Sequence, residues 1–206
     1  IPKIKVLFLD NPKSHLPSNF NNDELNEILH FAEQHQVIVF LDEVYIGWDQ
    51  KSYLTNLSNH KNLIISQSFS KIAFPSIKSG WLITNKELKN QLEATRNSYE
   101  LNYFACKVIK FLTDNHYYIS DLKKRILDTK KRWYKELSQS SKFKVYDSKT
   151  YVLRLYSEDK ELIKKTYNNL YNKKIVVGLV DEVNLVFSVI NNKSIEDIIF
   201  KEVIDG

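Results

Sequence analysis

The residues most able to do chemistry in this chain are Ser68-Phe69-Ser70-Lys71, which follow the apolar run Leu63-Ile64-Ile65. A lysine at the carboxyl end of a buried strand can be partly desolvated. Burial lowers an amine's pKa, and the free amine is the form that condenses with an aldehyde. The tetrapeptide says little alone, since most lysines are simply solvated. Two companions lie upstream, Asn11-Pro12 and Asp42-Glu43-Val44-Tyr45, each also at the end of an apolar run. Together they supply an amine, a carboxylate, a phenol, an amide and two hydroxyls (Ser68, Ser70).

The elements that must position these groups alternate along the chain. Ile4 to Leu9 is a short apolar run ended by the turn Asp10-Asn11-Pro12. Asn22-Asp23 can cap a helix in which Leu25, Ile28, Leu29 and Ala32 recur at helical spacing. The continuous apolar run Val37 to Leu41 predicts a parallel strand covered on both faces. Leu63 to Ile65 and Gly80 to Ile83 read as two more strands. Strand, helix, strand in this order predicts an α/β sheet, and ligands of such sheets sit beyond the carboxyl ends of the strands. Asn11, Asp42 and Ser68 to Lys71 fall at such ends.

Beyond Lys86 the pattern predicts one long helix to about Asn115, with Leu88, Leu92, Tyr99, Phe104, Val108 and Phe111 inward, and a second from about Ile119 to Leu137. Strands are expected around Phe143 to Val145, Tyr151 to Leu155, Ile175 to Val177 and Leu185 to Ile190. Helices are expected over Lys160 to Tyr171 and near Ser194 to Val203. Two domains are therefore expected, residues 1–110 as part of a larger ligand-binding domain and 111–206 as a smaller α/β domain.

Composition narrows the classes. With 206 residues, 43% hydrophobic and 13% aromatic, the chain can bury a core. No run reaches the roughly 18 apolar residues of a membrane span, so no membrane partner is expected. The single cysteine, Cys106, reads as a small core residue in a reducing compartment, and the cytoplasm is the expected location. The net charge of +5 comes mostly from lysine, and its densest stretch, Lys123 to Lys135, is spread over helical turns. That is the pattern of a solvated helix face rather than of a nucleic-acid groove, which would carry more arginine and a recognisable module. The chain opens Ile-Pro, has no methionine and only four glycines, so the reading expects a segment of a longer product.

The order Asn-Pro, Asp-x-x-Tyr, Ser-x-Ser-Lys, Gly-aromatic resembles the fold-type-I aminotransferases of class I/II, in the branch of histidinol-phosphate aminotransferase and threonine-phosphate decarboxylase. The separations, 31 residues from Asn11 to Asp42 and 29 from Asp42 to Lys71, suit that branch. So do Leu112, Asp114, Tyr117 and Arg125 in one helical block, and Tyr151-Val152-Leu153-Arg154 in a strand. The resemblance covers the later part of the family's domain plan and implies its fold and its cofactor, pyridoxal 5'-phosphate. By that resemblance Lys71 forms the Schiff base and moves the proton, and Asp42 pairs with the pyridine nitrogen. Tyr45 and Asn11 hydrogen-bond the phenolic oxygen, while Ser68 and Ser70 hold the phosphate. Lys78 stands where the family has a phosphate-binding arginine, and the gap from Lys71 is one residue shorter. Val186 stands where the family's Leu-Arg-Ile-Thr-Val strand carries the arginine for the substrate carboxylate, which leaves Arg154 as the candidate substitute. The implied reaction moves an amino group between an amino acid or amino-phosphate and a 2-oxo acid, in a homodimer. Decarboxylation on the same cofactor and a degenerate, non-catalytic relative are the alternatives.

Overall fold

The computed structural model describes residues 4–72, 74–97 and 100–205. They divide into two compact units, one of residues up to 12 with 19–120, the other of residues 13–18 with 121 onward.

The first unit is built on a four-stranded sheet of β1 (Val6–Asp10), β2 (Ile38–Asp42), β3 (Leu63–Ser68) and β4 (Gly80–Thr84), in that spatial order. The first three run parallel and β4 is antiparallel to β3. Helix α1 (Asn22–Gln34) starts at Asn21, whose side chain accepts from Asp23 and Glu24 N–H while the Glu24 carboxylate accepts from Asn21 N–H. This reciprocal cap satisfies three backbone donors that a helix start otherwise leaves unpaired. Leu25, Leu29 and Ala32 of α1 then pack on Val39, Leu41, Leu63 and Ile65 of one sheet face. The opposite face departs from the double coverage expected of residues 37–41. Ile38 and Phe40 are only half-buried, and Phe8 is 69% and Leu82 49% exposed.

The single long helix expected after Lys86 is two, α2 (Lys86–Glu93) and α3 (Tyr103–Asp114). Asn102 caps α3 by accepting from Ala105 N–H, which restarts the helix with a new phase. Ala105 and Leu112 are therefore the buried positions, while Phe104 and Phe111 point outward and Leu88, Leu92 and Val108 are half-buried. Tyr99 lies outside the described residues. Cys106 is exposed on α3 and is not the core residue expected.

Helix α4 (His116–Leu137) is followed by an antiparallel sheet of β5 (Lys144–Asp147), β6 (Val152–Tyr156), β7 (Gly178–Asp181) and β8 (Asn184–Ser188), in the order β5-β6-β8-β7. With α5 (Lys160–Asn172) and α6 (Lys193–Phe200) it forms the second unit. Trp133, Leu137, Ile163, Leu170, Ile199 and Val203 cover the sheet face of Leu153, Leu155, Leu185 and Phe187. The strand expected at Ile175 to Val177 starts three residues later. Lys174 takes a left-handed conformation and Ile175 N–H closes back on the Leu170 carbonyl, so these residues finish α5 instead.

A buried carboxylate organises the loop after β2. Glu43 is 1% exposed and accepts from Ser52 Oγ at 2.5 Å, Tyr53 N–H at 2.7 Å and Gln67 Nε2 at 2.8 Å. Nearby, the buried Tyr53 hydroxyl donates to Asn26 Oδ1 and meets His60 Nε2 at 3.0 Å, while His60 Nδ1 is buried with no partner. The tautomer assigned by this network carries the proton on Nε2.

Two predictions follow from these buried groups. Glu43→Ala leaves Ser52 Oγ–H and Tyr53 N–H without an acceptor while Gln67 keeps Ser52 Oγ, and we expect a loss of about 3 kcal/mol, or roughly 6–12 °C in Tm by calorimetry. His60 gives a pH dependence: burial, foremost, lowers its pKa, with His30 acting the same way and Glu33 opposing them. Because the folded pKa lies below the unfolded value, its stabilising contribution is complete above about pH 6.5 and is lost as pH falls through the folded pKa. Urea midpoints measured between pH 7.5 and pH 5 should fall more steeply for the native chain than for His60→Gln.

Candidate active site

The parallel register brings the carboxyl ends of β1, β2 and β3 level. Asp10, Asp42 and Ser66 are successive neighbours across the sheet. Asp42 Oδ1 accepts from Val44 N–H at 2.9 Å and from Ser66 Oγ at 2.9 Å. These two bonds fix the carboxylate plane. With Asp10 beside it, the strand ends present two acids to whatever lies beyond them, an arrangement that favours a cation. The sequence reading missed Ser66; its signal is its place two residues before Ser68, on the same face of β3.

Tyr45 and Lys71 meet just beyond this row, with Lys71 Nζ 5.4 Å from the Tyr45 ring centroid. The lysine's backbone is tied to the loop after β2, since Trp48 Nε1 donates to the Lys71 carbonyl at 3.2 Å. Trp48 is 8% exposed, so this tie is shielded from water. No motif in the sequence pointed to it. Lys71 itself is exposed, and the desolvation expected of it is not supplied by the described residues.

Asn11 is 2% exposed and its amide is engaged with Phe20, donating from Nδ2 to Phe20 O and accepting Phe20 N–H at Oδ1, both at 3.1 Å. Its own N–H donates to the Asp42 carbonyl. The side chain therefore fastens the loop after β1, with one Nδ2 hydrogen left over. Ser68 Oγ is likewise occupied, donating to Ser79 O at 2.9 Å and accepting from Ser70 N–H at 3.0 Å. It shapes the turn that carries Ser70 and Lys71.

Lys78 is exposed and left-handed, at φ 48° and ψ 41°, at the end of the short turn Pro75–Ile77. The left-handed conformation ends that turn, as it does for Lys174 after α5. Next to it, Gly80 has no room for a side chain: a Cβ would lie 2.6 Å from the Gln67 carbonyl. A cavity of 730 Å³ opens along the β3–β4 edge, lined by Ser66, Gln67, Ser68, Gly80 and Trp81 with α2 and Arg96. It borders the strand-end residues but is not lined by Asp42, Tyr45 or Lys71.

Arg154 lies on β6 in the second unit. Tyr146, Arg154, Val186 and Gly178 form one register row across that sheet, on the face opposite the helices. Arg154 is thus the direct cross-strand neighbour of Val186, and its guanidinium carbon sits 4.4 Å from the Tyr146 ring centroid.

Among the described residues no group of three or more His, Cys, Asp or Glu side chains could hold a metal, and no helix is long and apolar enough to cross a membrane.

Comparison with known proteins gives the fold and the family. The histidinol-phosphate aminotransferase of Clostridium kluyveri is 24% identical over 178 residues, 86% of this chain and 49% of that protein. The crystal structure of the Clostridium acetobutylicum histidinol-phosphate aminotransferase superposes with a TM-score of 0.85 at 22% identity, covering 98% of this chain and 63% of that one. That of Sinorhizobium meliloti, solved in complex with pyridoxal-5'-phosphate, superposes with a TM-score of 0.82 at 14% identity, covering 97% and 56%. At these identities the likeness establishes a shared fold. The chain spans about half the length of the curated relative. The profile of the family described as aminotransferase class I and II matches residues 1–192, and with nearly the whole chain inside that match, the protein belongs to the class I and II aminotransferases.

Proposed function

We propose that this protein is a pyridoxal 5'-phosphate-dependent aminotransferase that moves an amino group between an amino acid or amino-phosphate and a 2-oxo acid. The observation that carries the reading is the fixed carboxylate of Asp42, oriented by Ser66 and Val44 beside Asp10 at the strand ends, together with the contact between Lys71 and Tyr45 in the loops that follow β3 and β2. The donor set fits the cofactor: paired acids suit a protonated ring nitrogen, and Lys71 supplies the one amine beside the phenol of Tyr45.

When bound, the cofactor supplies an electron sink for the bond broken at the substrate's α-carbon. The chain's own groups do the rest. Asp42 holds a proton on the ring nitrogen. Tyr45 and the remaining Nδ2 hydrogen of Asn11 would donate toward the ring oxygen, and Ser70, Lys78 and, once its hydroxyl turns from the Ser79 carbonyl, Ser68 would hold the phosphate. Lys71 Nζ anchors the cofactor and then carries the proton to and from the α-carbon. Arg154 receives the substrate's anionic end, in place of an arginine at Val186. Residues 1–110 serve in this reading as part of the cofactor-binding domain and 111–206 as the small domain. A cytoplasmic homodimer acting on small molecules completes the proposal, the lone cysteine suiting a reducing compartment.

Val186 also favours a second reading. With no arginine at that place the substrate carboxylate is held differently, which suits decarboxylation, in which carbon dioxide leaves, a proton takes its place on the α-carbon and the amine is kept; product analysis for carbon dioxide and amine against 2-oxo acid separates the two.

The test begins with the absorbance spectrum of the purified chain and pyridoxal phosphate. A band typical of the cofactor on an amine should appear, and borohydride should discharge it and fix the cofactor's mass on the Lys71 peptide. Lys71→Ala should abolish both and lower turnover at least about a thousandfold. Absence of the band from chain shown to be folded by circular dichroism overturns the reading. Lys78→Arg, which adds one charge-assisted bond worth about 1.4 kcal/mol, should tighten cofactor binding about tenfold in a fluorescence titration.

A further inference from the structure

The chain has four arginines, and three of them are paired with carboxylates: Arg96 with Glu93 and Glu100, Arg125 with Asp121, and Arg132 with Glu196. Arg154 has no such partner among the described residues. Instead its guanidinium lies over the ring of Tyr146, its neighbour across the β5–β6 pair. Two residues earlier on β5, the exposed Lys144 places its ammonium 5.0 Å from the centre of the same ring. Tyr156, opposite Lys144, closes the square with an edge-on contact to Tyr146 at 6.4 Å. Two cations thus share one aromatic ring, at diagonal corners of a patch on the sheet face away from the helices.

The ring attracts both cations, and two like charges are thereby gathered on one small patch. Arg154 Nε is buried without an acceptor, and Asn184 Oδ1, on the same sheet face and opposite Tyr156, is buried without a donor. The Asp181 carboxylate, engaged by Val183 N–H and by Asn184 Nδ2, feels the charge of Arg154 but forms no ion pair with it. A planar donor fork backed by an aromatic ring, a second cation beside it and an unpaired donor within it are the parts of an oxyanion site.

We propose that Lys144, Tyr146, Arg154 and Tyr156 form an oxyanion-binding subsite for the carboxylate or phosphate of a small organic acid. Tyr146 holds the guanidinium plane in place, so little side-chain freedom remains to be lost on binding. Arg154 supplies the directed donors and Lys144 the additional charge. The subsite deepens the assignment of Arg154 to the substrate's anionic end and rests on it, but needs neither the cofactor nor Lys71.

Arginine Nε–H signals in a nitrogen-15 NMR spectrum of the chain at low salt provide the test, the Arg154 signal being identified by its loss in Arg154→Gln. Inorganic phosphate should shift that signal saturably and leave the three paired arginines still. Lys144→Gln, at an exposed position, should weaken the apparent affinity about tenfold. Arg154→Gln should remove the saturable shift of the Tyr146 amide while the rest of the spectrum stays dispersed. Acetate acting as well as phosphate would identify a carboxylate ligand, and phosphate acting alone a phosphorylated one. The proposal is overturned if sodium chloride at equal ionic strength produces the same shift, if all four arginines move together, or if the Tyr146 response survives in Arg154→Gln. Lys71→Ala should leave the shift unchanged, so a chain that binds phosphate here but no cofactor would refute the reaction assigned above and not this subsite.

Discussion

The first unit depends on one buried carboxylate. Glu43 must accept hydrogen bonds where it stands, because a charge so far from water is tolerated only when it is fully engaged. Its partners, Ser52, Tyr53 and Gln67, come from the loop after β2 and from β3. Once they are in place, the loop between residues 43 and 53 has no freedom to drift. That loop carries Tyr45, and its Trp48 ties down the Lys71 backbone. Asp42, immediately before Glu43, is then left facing Ser66 on the next strand. A buried acid and a strand-end acid stand side by side, each held by a residue of β3.

The site is built from parts that are individually ordinary. Asn11 is a loop fastener, Ser68 shapes a turn, and Gly80 is small because the Gln67 carbonyl leaves no space. What distinguishes them is convergence at the carboxyl ends of parallel strands, where backbone geometry opens a crevice whatever the side chains. The second unit follows a different logic. Its helix-covered face is packed by Trp133, Phe187 and five fully buried leucines, while its other face carries the charged and aromatic row.

Much of this was legible in the sequence, for stated physical reasons. The short apolar runs ending at Leu9, Leu41 and Ile65 are strands because they are too short for buried helices and are each followed by turn-forming or polar residues. The residues that follow each run therefore fall at one edge of the sheet. The helix over residues 86–115 was misread because its hydrophobic spacing survives a break: Asn102 caps a new helix whose phase differs, and propensity alone does not register a cap inside a periodic stretch. The strand near residue 175 was misplaced because an apolar run can also end a helix. Ser66 and Trp48 escaped notice since each acts through a partner distant in sequence. The side-chain direction of Arg154 needed the β6–β8 register, which no local pattern contains.

Strand β1 is an edge of its sheet, with Val6 and Phe8 on the more open face. An edge of this kind offers unpaired backbone donors and acceptors next to sticky side chains, which is the template on which chains stack into aggregates. Natural sheets blunt such edges with a central lysine or a proline, and between Val6 and Asp10 this strand has neither. Where nothing pairs with it, such a strand favours stacking, and a single charged residue in place of Phe8, 69% exposed, would oppose that stacking.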